Sequence, residues 1–294
     1  MFELSTYLKE KRRMIENALD RHLPTEETRP GVLHAAMRYS VFSGGKRLRP
    51  ILCLAAADAV KGREEDALLP AIALEVLHTY TLVHDDLPSM DDDAVRRGQP
   101  TTHIQFGEAT AILAGDALLT LAFEWLGQCR APAPYLPGQY VHEVAEAAGS
   151  RGVIAGQIED LAAETGDTTP ERLDFIHLHK TAALIRAAMR VGAIAGGASA
   201  EQLDAVSVYG CNIGIAFQIA DDLLDETGTT ERMGKPAGSD RKNKKLTYVS
   251  CYGLEQSRKR AETLVDEAIA ALSLFKGPTA PLEAIARYVI DRDH

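Results

Sequence analysis

At 294 residues, with 46% hydrophobic and 25% charged side chains, the chain has the make-up of a folded globular protein able to bury a substantial core. Its 42 acidic residues against 32 basic ones leave a net charge of −10, which excludes a nucleic-acid partner, whose phosphates such a surface repels. The opening MFELSTYLKEKRRMIENALD lacks the apolar run of a signal peptide and no later stretch approaches 18 apolar residues, so a cytoplasmic protein without stable membrane association is expected.

Apolar residues recur at three-to-four spacing, whereas alternating β-branched runs and Asn-Gly hairpin signals are nearly absent. The reading is therefore all-α: a single helical domain over residues 1–294, folded as one large bundle around a central cavity. Helices are predicted at 31–43, 50–60, 67–87, 106–129, 138–164, 170–196, 201–226, 254–275 and 279–290. Thr169-Pro170-Glu171 marks a start, with a cap, a first-turn proline and a first-turn acid. The segments 131–138 and 227–246 read as loops. Cys53, Cys129, Cys211 and Cys251 form no CxxC pair and are expected to be reduced packing residues.

Chemistry first appears at Gly44-Gly45-Lys46-Arg47-Leu48-Arg49-Pro50, where a flexible turn stands beside three cations suited to phosphate oxygens. The run EVLHTYTLVH then carries His78 two helical turns ahead of Asp85. Asp85 and Asp86 sit at the negative end of a helix that Pro88 should terminate, a position that disfavours two carboxylates unless a cation is present. The break can loop out the extra residues and return Asp91 to the pair. Arg96-Arg97 follows on the same short loop, and Lys180-Thr181 lies on an otherwise apolar helical face, where a lysine needs an anionic partner. A second cluster, Asp221, Asp222 and Asp225 in FQIADDLLDE, places its carboxylates on one side of a helix. Repulsion and burial would raise these pKa values unless a cation neutralised them, and oxygen-only ligands favour Mg²⁺. Lys235 and Lys245 flank the glycine-containing loop that follows.

In this order, GGKRLRP, LVHDDLPSMDDDAVRRGQPTTH, GDALLTLAFE, GQIEDLAAE, HKTAALIRAA and FQIADDLLDETG resemble the trans-isoprenyl diphosphate synthases, most closely the short-chain bacterial farnesyl diphosphate synthases. The resemblance implies that Asp85, Asp86 and Asp91, with Asp221, Asp222 and Asp225, hold three Mg²⁺ on an allylic diphosphate. It implies that Arg96, Lys180 and Lys235 bind that same diphosphate, and that Lys46, Arg49, His78 and Arg97 form a metal-free isopentenyl diphosphate site. Thr181 and Gln218 match polar groups beside the reacting carbons, and Lys245 a further substrate contact. The implied reaction is ionisation, condensation and elimination without a protein nucleophile. The usual Lys-x-Thr-Tyr-Pro reads Lys245-Leu246-Thr247-Tyr248-Val249 here, without the proline that normally starts the next helix.

Tyr80, five residues before Asp85, lies ~7.5 Å down the helix axis with Thr81 beside it. An aromatic floor there could stop chain growth, and the resemblance implies that a bulky residue at this place, with the two-residue insertion in the first cluster, goes with a farnesyl (C15) product. Geranyl and geranylgeranyl diphosphate are the alternative products. A non-catalytic partner subunit is the alternative from another class, and such a subunit would be expected to have lost an aspartate cluster. The resemblance also implies a homodimer.

Overall fold

The computed structural model describes residues 2–163, 166, 169–227 and 246–291. The predicted all-α bundle is what forms. Its helices are α1 (Leu4–His22), α2 (Gly31–Phe42), α3 (Leu48–Ala59), α4 (Glu64–Asp85), α5 (Thr102–Phe106), α6 (Glu108–Gln128), α7 (Gln139–Ala148), α8 (Val153–Ala163), α9 (Pro170–Ile176), α10 (Ala183–Ala195), α11 (Ala200–Thr227), α12 (Tyr248–Tyr252), α13 (Leu254–Ala271) and α14 (Ala280–Asp291). A two-residue hairpin, Val95–Arg96 against Gln99–Pro100, is the strand structure among the described residues.

The core is built on α3, α4, α10 and α11. α3 and α10 are almost wholly buried, and their alanines let neighbouring backbones approach closely. α4 lies along α6 and α3, and α11 along α10 and α13, so the two aspartate-bearing helices belong to one packed body.

Three local outcomes differ from the sequence reading. α1 was not foreseen: its charged face hides a narrow apolar stripe in which Ile15, Ala18 and Leu19 are buried. The run expected at 138–164 breaks into α7 and α8 around Gly149–Gly152. The run 170–196 is continuous but contains a π-helical turn at His177–Ala182, where one extra residue is accommodated.

α4, α6 and α11 are also long and apolar enough to cross a membrane by length and composition, contrary to the reading of isolated stretches. In the bundle, 67% of the apolar window of α4 and 56% of that of α11 are buried, against 39% for α6.

Candidate active site

α4 runs its last turn into Asp85, and the chain then folds back over Leu87–Met90. The Asp91 amide thereby donates to the Asp85 carbonyl at 2.9 Å, which returns the third aspartate to the first. Burial raises the Asp85 carboxyl to about 6; Lys180 is the main charge opposing that rise, and Asp91 adds to it. Asp86 is spoken for: Arg96 donates to its Oδ1 from Nε at 2.7 Å, and the ion pair brings Nη2 within 2.7 Å of the same oxygen. Burial still pushes the Asp86 carboxyl up. Despite its own burial, Arg96 has its pKa raised by this hydrogen bond.

The second cluster is organised differently. Asp222 is buried, accepting from the Gln218 amide at 3.2 Å through Oδ1 and from the Tyr248 backbone N–H at 2.8 Å through Oδ2. Thr181 donates to Gln218 Oε1 at 3.1 Å, so the predicted polar pair Thr181–Gln218 is hydrogen-bonded and leads directly to Asp222. The missing proline is replaced by other chemistry. Thr247 and Ser250 form a reciprocal capping box that starts α12 at Tyr248, and Asp222 caps its first amide.

Lys180 projects from the π turn onto Asp160 of α8, Nζ to Oδ2 at 2.5 Å. α8 can come this close because residue 156 is glycine; a Cβ there would lie 2.2 Å from the Lys180 backbone nitrogen.

The cation-lined region takes shape between α2, α3 and α4. Arg47 is buried, bridges to Glu75 at 2.8 Å and donates to the Val41 carbonyl at 2.7 Å. Arg47 and Arg97 adopt left-handed backbone conformations, φ 53° and 54°, of the kind that is retained where the surroundings demand it. Arg97 donates from Nη1 to the Gly44 carbonyl and lies across Gly45, where a Cβ would meet the guanidinium at 2.6 Å.

Burial lowers Arg49 to about 10, with Glu75 opposing and Arg97 reinforcing the shift. Its Nε is enclosed without an acceptor among the described residues. His78 is driven well below its ordinary value by burial and then by Arg49, Arg97, Arg96 and Arg47, which leaves a neutral imidazole among cations. Arg49, His78 and Arg97 thus converge. Lys46 is exposed and lines the neighbouring groove of about 250 Å³ between α1 and α14, with Leu8, Arg12 and Tyr288. Lys235 and Lys245 lie outside the described residues.

Whether these carboxylates suit Mg²⁺ can be tested on their chemistry. No set of three His, Cys, Asp or Glu among the described residues is gathered closely enough to hold an ion by itself. Mg²⁺ does not demand one, because it commonly uses one or two carboxylates plus substrate phosphates and water. A carboxyl lifted to about 6 by burial, beside a second acid, is a donor short of positive charge, and the oxygen-only set fits.

Four site features escaped the sequence reading: Glu75, Asp160, Tyr248 and the π turn. Glu75 had a readable signal, being one turn before His78 on the same apolar helix.

The comparisons bear on identity. The chain is 45% identical over 295 residues to a geranylgeranyl diphosphate synthase of Cyanophora paradoxa, covering all of this chain and 98% of that one. It is 44% identical to a protein of Arabidopsis thaliana named heterodimeric geranylgeranyl pyrophosphate synthase large subunit 1, chloroplastic, covering all of this chain and 80% of that one. The crystal structure of an FPP/GFPP synthase from Zymomonas mobilis superposes with a TM-score of 0.85 at 39% identity, covering 98% of each chain.

Two expectations are corrected by these relatives. The farnesyl diphosphate synthase assignment gives way, since further Arabidopsis relatives at 43–46% identity also bear the geranylgeranyl name. That expectation rested on what the resemblance implies for Tyr80 and the two-residue insertion in the first cluster; the Tyr80 ring stands edge-on to His84 at 5.5 Å, and His84 Nε2 lies 3.0 Å from the Ile112 carbonyl of α6. The cytoplasmic placement also gives way, because several of the same relatives are named chloroplastic. Residues 30–274 match the polyprenyl synthetase family, and with full-length relatives at 45% identity the chain belongs to that family of prenyltransferases, the trans-isoprenyl diphosphate synthases.

Proposed function

We propose that the protein is a geranylgeranyl diphosphate synthase, extending allylic diphosphates with isopentenyl diphosphate through ionisation, condensation and elimination. The carrying observation is the division of charge: acids gathered at Asp85–Asp91 and Asp221–Asp225, and an under-solvated cation cluster at Arg49, His78 and Arg97. The C20 product rests on the names of the relatives.

Asp85, Asp91, Asp221 and Asp225 would hold Mg²⁺, three ions by the family resemblance, with Asp86 and Asp222 orienting Arg96 and the Thr181–Gln218 pair. Bound there, Mg²⁺ supplies Lewis acidity to the departing diphosphate. Lys180 and Arg96 bind the same group from this chain, with Lys235 and Lys245 added by position in the sequence. Thr181 and Gln218 present hydroxyl and amide dipoles beside the allylic carbons. Arg49, Arg97 and Lys46 take the isopentenyl diphosphate, and neutral His78 donates a hydrogen bond there without adding to the charge.

The whole chain acts as one helical domain. A second copy packs on α6, whose Ile112 and Leu113 are 43% and 59% exposed beside Ile104 at 56%, an apolar face a monomer would leave wet. Tyr80 and Thr81 form a wall of the elongation channel, and Tyr80→Ala should lengthen the products beyond C20; unchanged products would remove Tyr80 from that role.

Incubation with Mg²⁺, isopentenyl diphosphate and dimethylallyl, geranyl or farnesyl diphosphate, followed by product chromatography, tests the reading. C20 should dominate. A C15 end point would overturn the chain length, and no condensation with any starter would leave the non-catalytic subunit in its place.

A further inference from the structure

The three cations of the turn before α3 are not equivalent. Lys46 is exposed and Arg49 half-buried, whereas Arg47 is only 3% exposed. Its guanidinium is turned inward: Nη1 donates to Glu75 at 2.8 Å, Nη2 donates to the Val41 carbonyl at 2.7 Å, and Nε lies 3.7 Å from Glu16 of α1. Arg47 reaches this position from a left-handed backbone immediately before α3, a conformation that costs a non-glycine residue energy and is kept where its surroundings hold it.

Glu75 is equally enclosed, and it stands one turn before His78 on α4. A buried carboxylate in that place is a rival to any anion the cation cluster is meant to bind. Burial lowers both Arg49 and Arg97, and at each of them Glu75 is the leading charge that opposes the fall. An anion that attracts these guanidiniums from within weakens their hold on an anion from outside. Arg47 answers that claim. Among the described residues it is the cation hydrogen-bonded to Glu75, while Arg49 Nε is enclosed without an acceptor and Arg97 donates from Nη1 to the Gly44 carbonyl.

We infer that Arg47 is an internal counter-cation that occupies Glu75, so that Arg49 and Arg97 remain available to isopentenyl diphosphate, and that the pair sets the strength of that site. Arg47 and Glu75 are positioning residues: they act on the substrate through Arg49 and Arg97 and do not touch it. The inference rests on the proposed binding of isopentenyl diphosphate by that cluster.

Opposed charge changes test it, read as KM for each substrate and as calorimetric binding of isopentenyl diphosphate without metal. Arg47→Met releases Glu75 onto Arg49 and Arg97, so the isopentenyl diphosphate KM should rise by about tenfold. Glu75→Gln keeps a carbonyl oxygen for Arg47 and removes the rival charge, so KM and metal-free Kd for isopentenyl diphosphate should fall by about three- to tenfold. The double variant Arg47→Met/Glu75→Gln restores the balance and should return to within about threefold of the parent. The allylic KM should stay within about twofold throughout.

A rise or no change in isopentenyl diphosphate KM for Glu75→Gln, a double variant no better than Arg47→Met, or parallel changes in both KM values would each overturn the inference, because a pair that only fastens the bundle gives losses of that pattern. If Arg47→Met does not fold, Glu75→Gln and the double variant decide by the same limits: tighter binding in the first, near-parent binding in the second. An Arg49→Met variant whose isopentenyl diphosphate KM is unmoved would instead remove the site reading itself.

Discussion

Two helical carboxylates, Glu143 on α7 and Asp85 on α4, are both drawn into the bundle, yet their surroundings treat them in opposite ways. Burial would raise Glu143, but Arg190 grips it with two hydrogen bonds, 2.6 Å from Nε and 2.8 Å from Nη2, and holds its carboxyl below the usual range. Arg190 is itself tied to Ser207 at 2.8 Å. Asp85 has no such clamp among the described residues; burial lifts it to about 6, with Asp91 adding to the rise against the pull of Lys180. Matched charge fastens one part of the bundle, while unmatched charge at the other is reserved for something that arrives from outside.

The largest effect should come from breaking the matched side. Glu143→Ala strands the Arg190 guanidinium and should cost about 3–5 kcal/mol in urea unfolding, with the product spectrum unchanged. A loss below 1 kcal/mol would mean that the pair is not a fastener. Next comes the cation cluster: Arg49→Met should raise KM for isopentenyl diphosphate by about 10- to 100-fold and leave the allylic KM nearly constant. Equal changes in both would dissolve the division into two sites.

The smallest effect is the sharpest in sign. The folded chain binds the Asp85 proton more tightly than the unfolded chain does, so that contribution to stability is full below the ordinary value of 3.8 and is lost as pH rises to about 6. Metal-free Asp85→Asn should therefore be about 1 kcal/mol more stable than the parent at pH 7, with the gap closing near pH 4. Mg²⁺ with inorganic diphosphate should reverse the order by stabilising only the parent. The lowered carboxyl of Glu143 behaves in the opposite way, contributing fully above the usual range and losing that stability as acid takes the pH through its folded value. A calorimetric pH series on the two variants would separate these contributions.

How far the sequence foretold this arrangement varied with the kind of information needed. Helix identity was legible because burial in a bundle imposes a 3.6-residue rhythm on long segments such as 67–87 and 201–226. α1 escaped because a stripe of three buried residues among lysines, arginines and glutamates barely departs from a polar surface.

The π turn left no trace, since its i to i+5 bonding follows from packing against α8 and α11 rather than from composition. Asp160 lies within GQIEDL, where spacing alone assigns it no partner. Its neighbour Glu159, paired with Arg172 at 2.9 Å, is chemically similar, and only the fold shows which of the two meets Lys180. Tyr80 teaches the same lesson about direction. Its bulk was readable and its edge-on contact with His84 was not.

The π turn has a further consequence for how this segment can vary. A helix that accommodates one surplus residue at His177–Ala182 has its two halves out of phase by about 100° relative to an uninterrupted spiral. Deleting one residue there would restore a regular helix and keep its length within 1.5 Å, but would rotate everything before the deletion against everything after it. α10 could stay seated on α3 and α11 only if α9 turned away, and with it the side from which Lys180 reaches Asp160. The segment therefore tolerates exchanges of side chain far better than changes of length, and an ordinary count of residues is part of what the site requires.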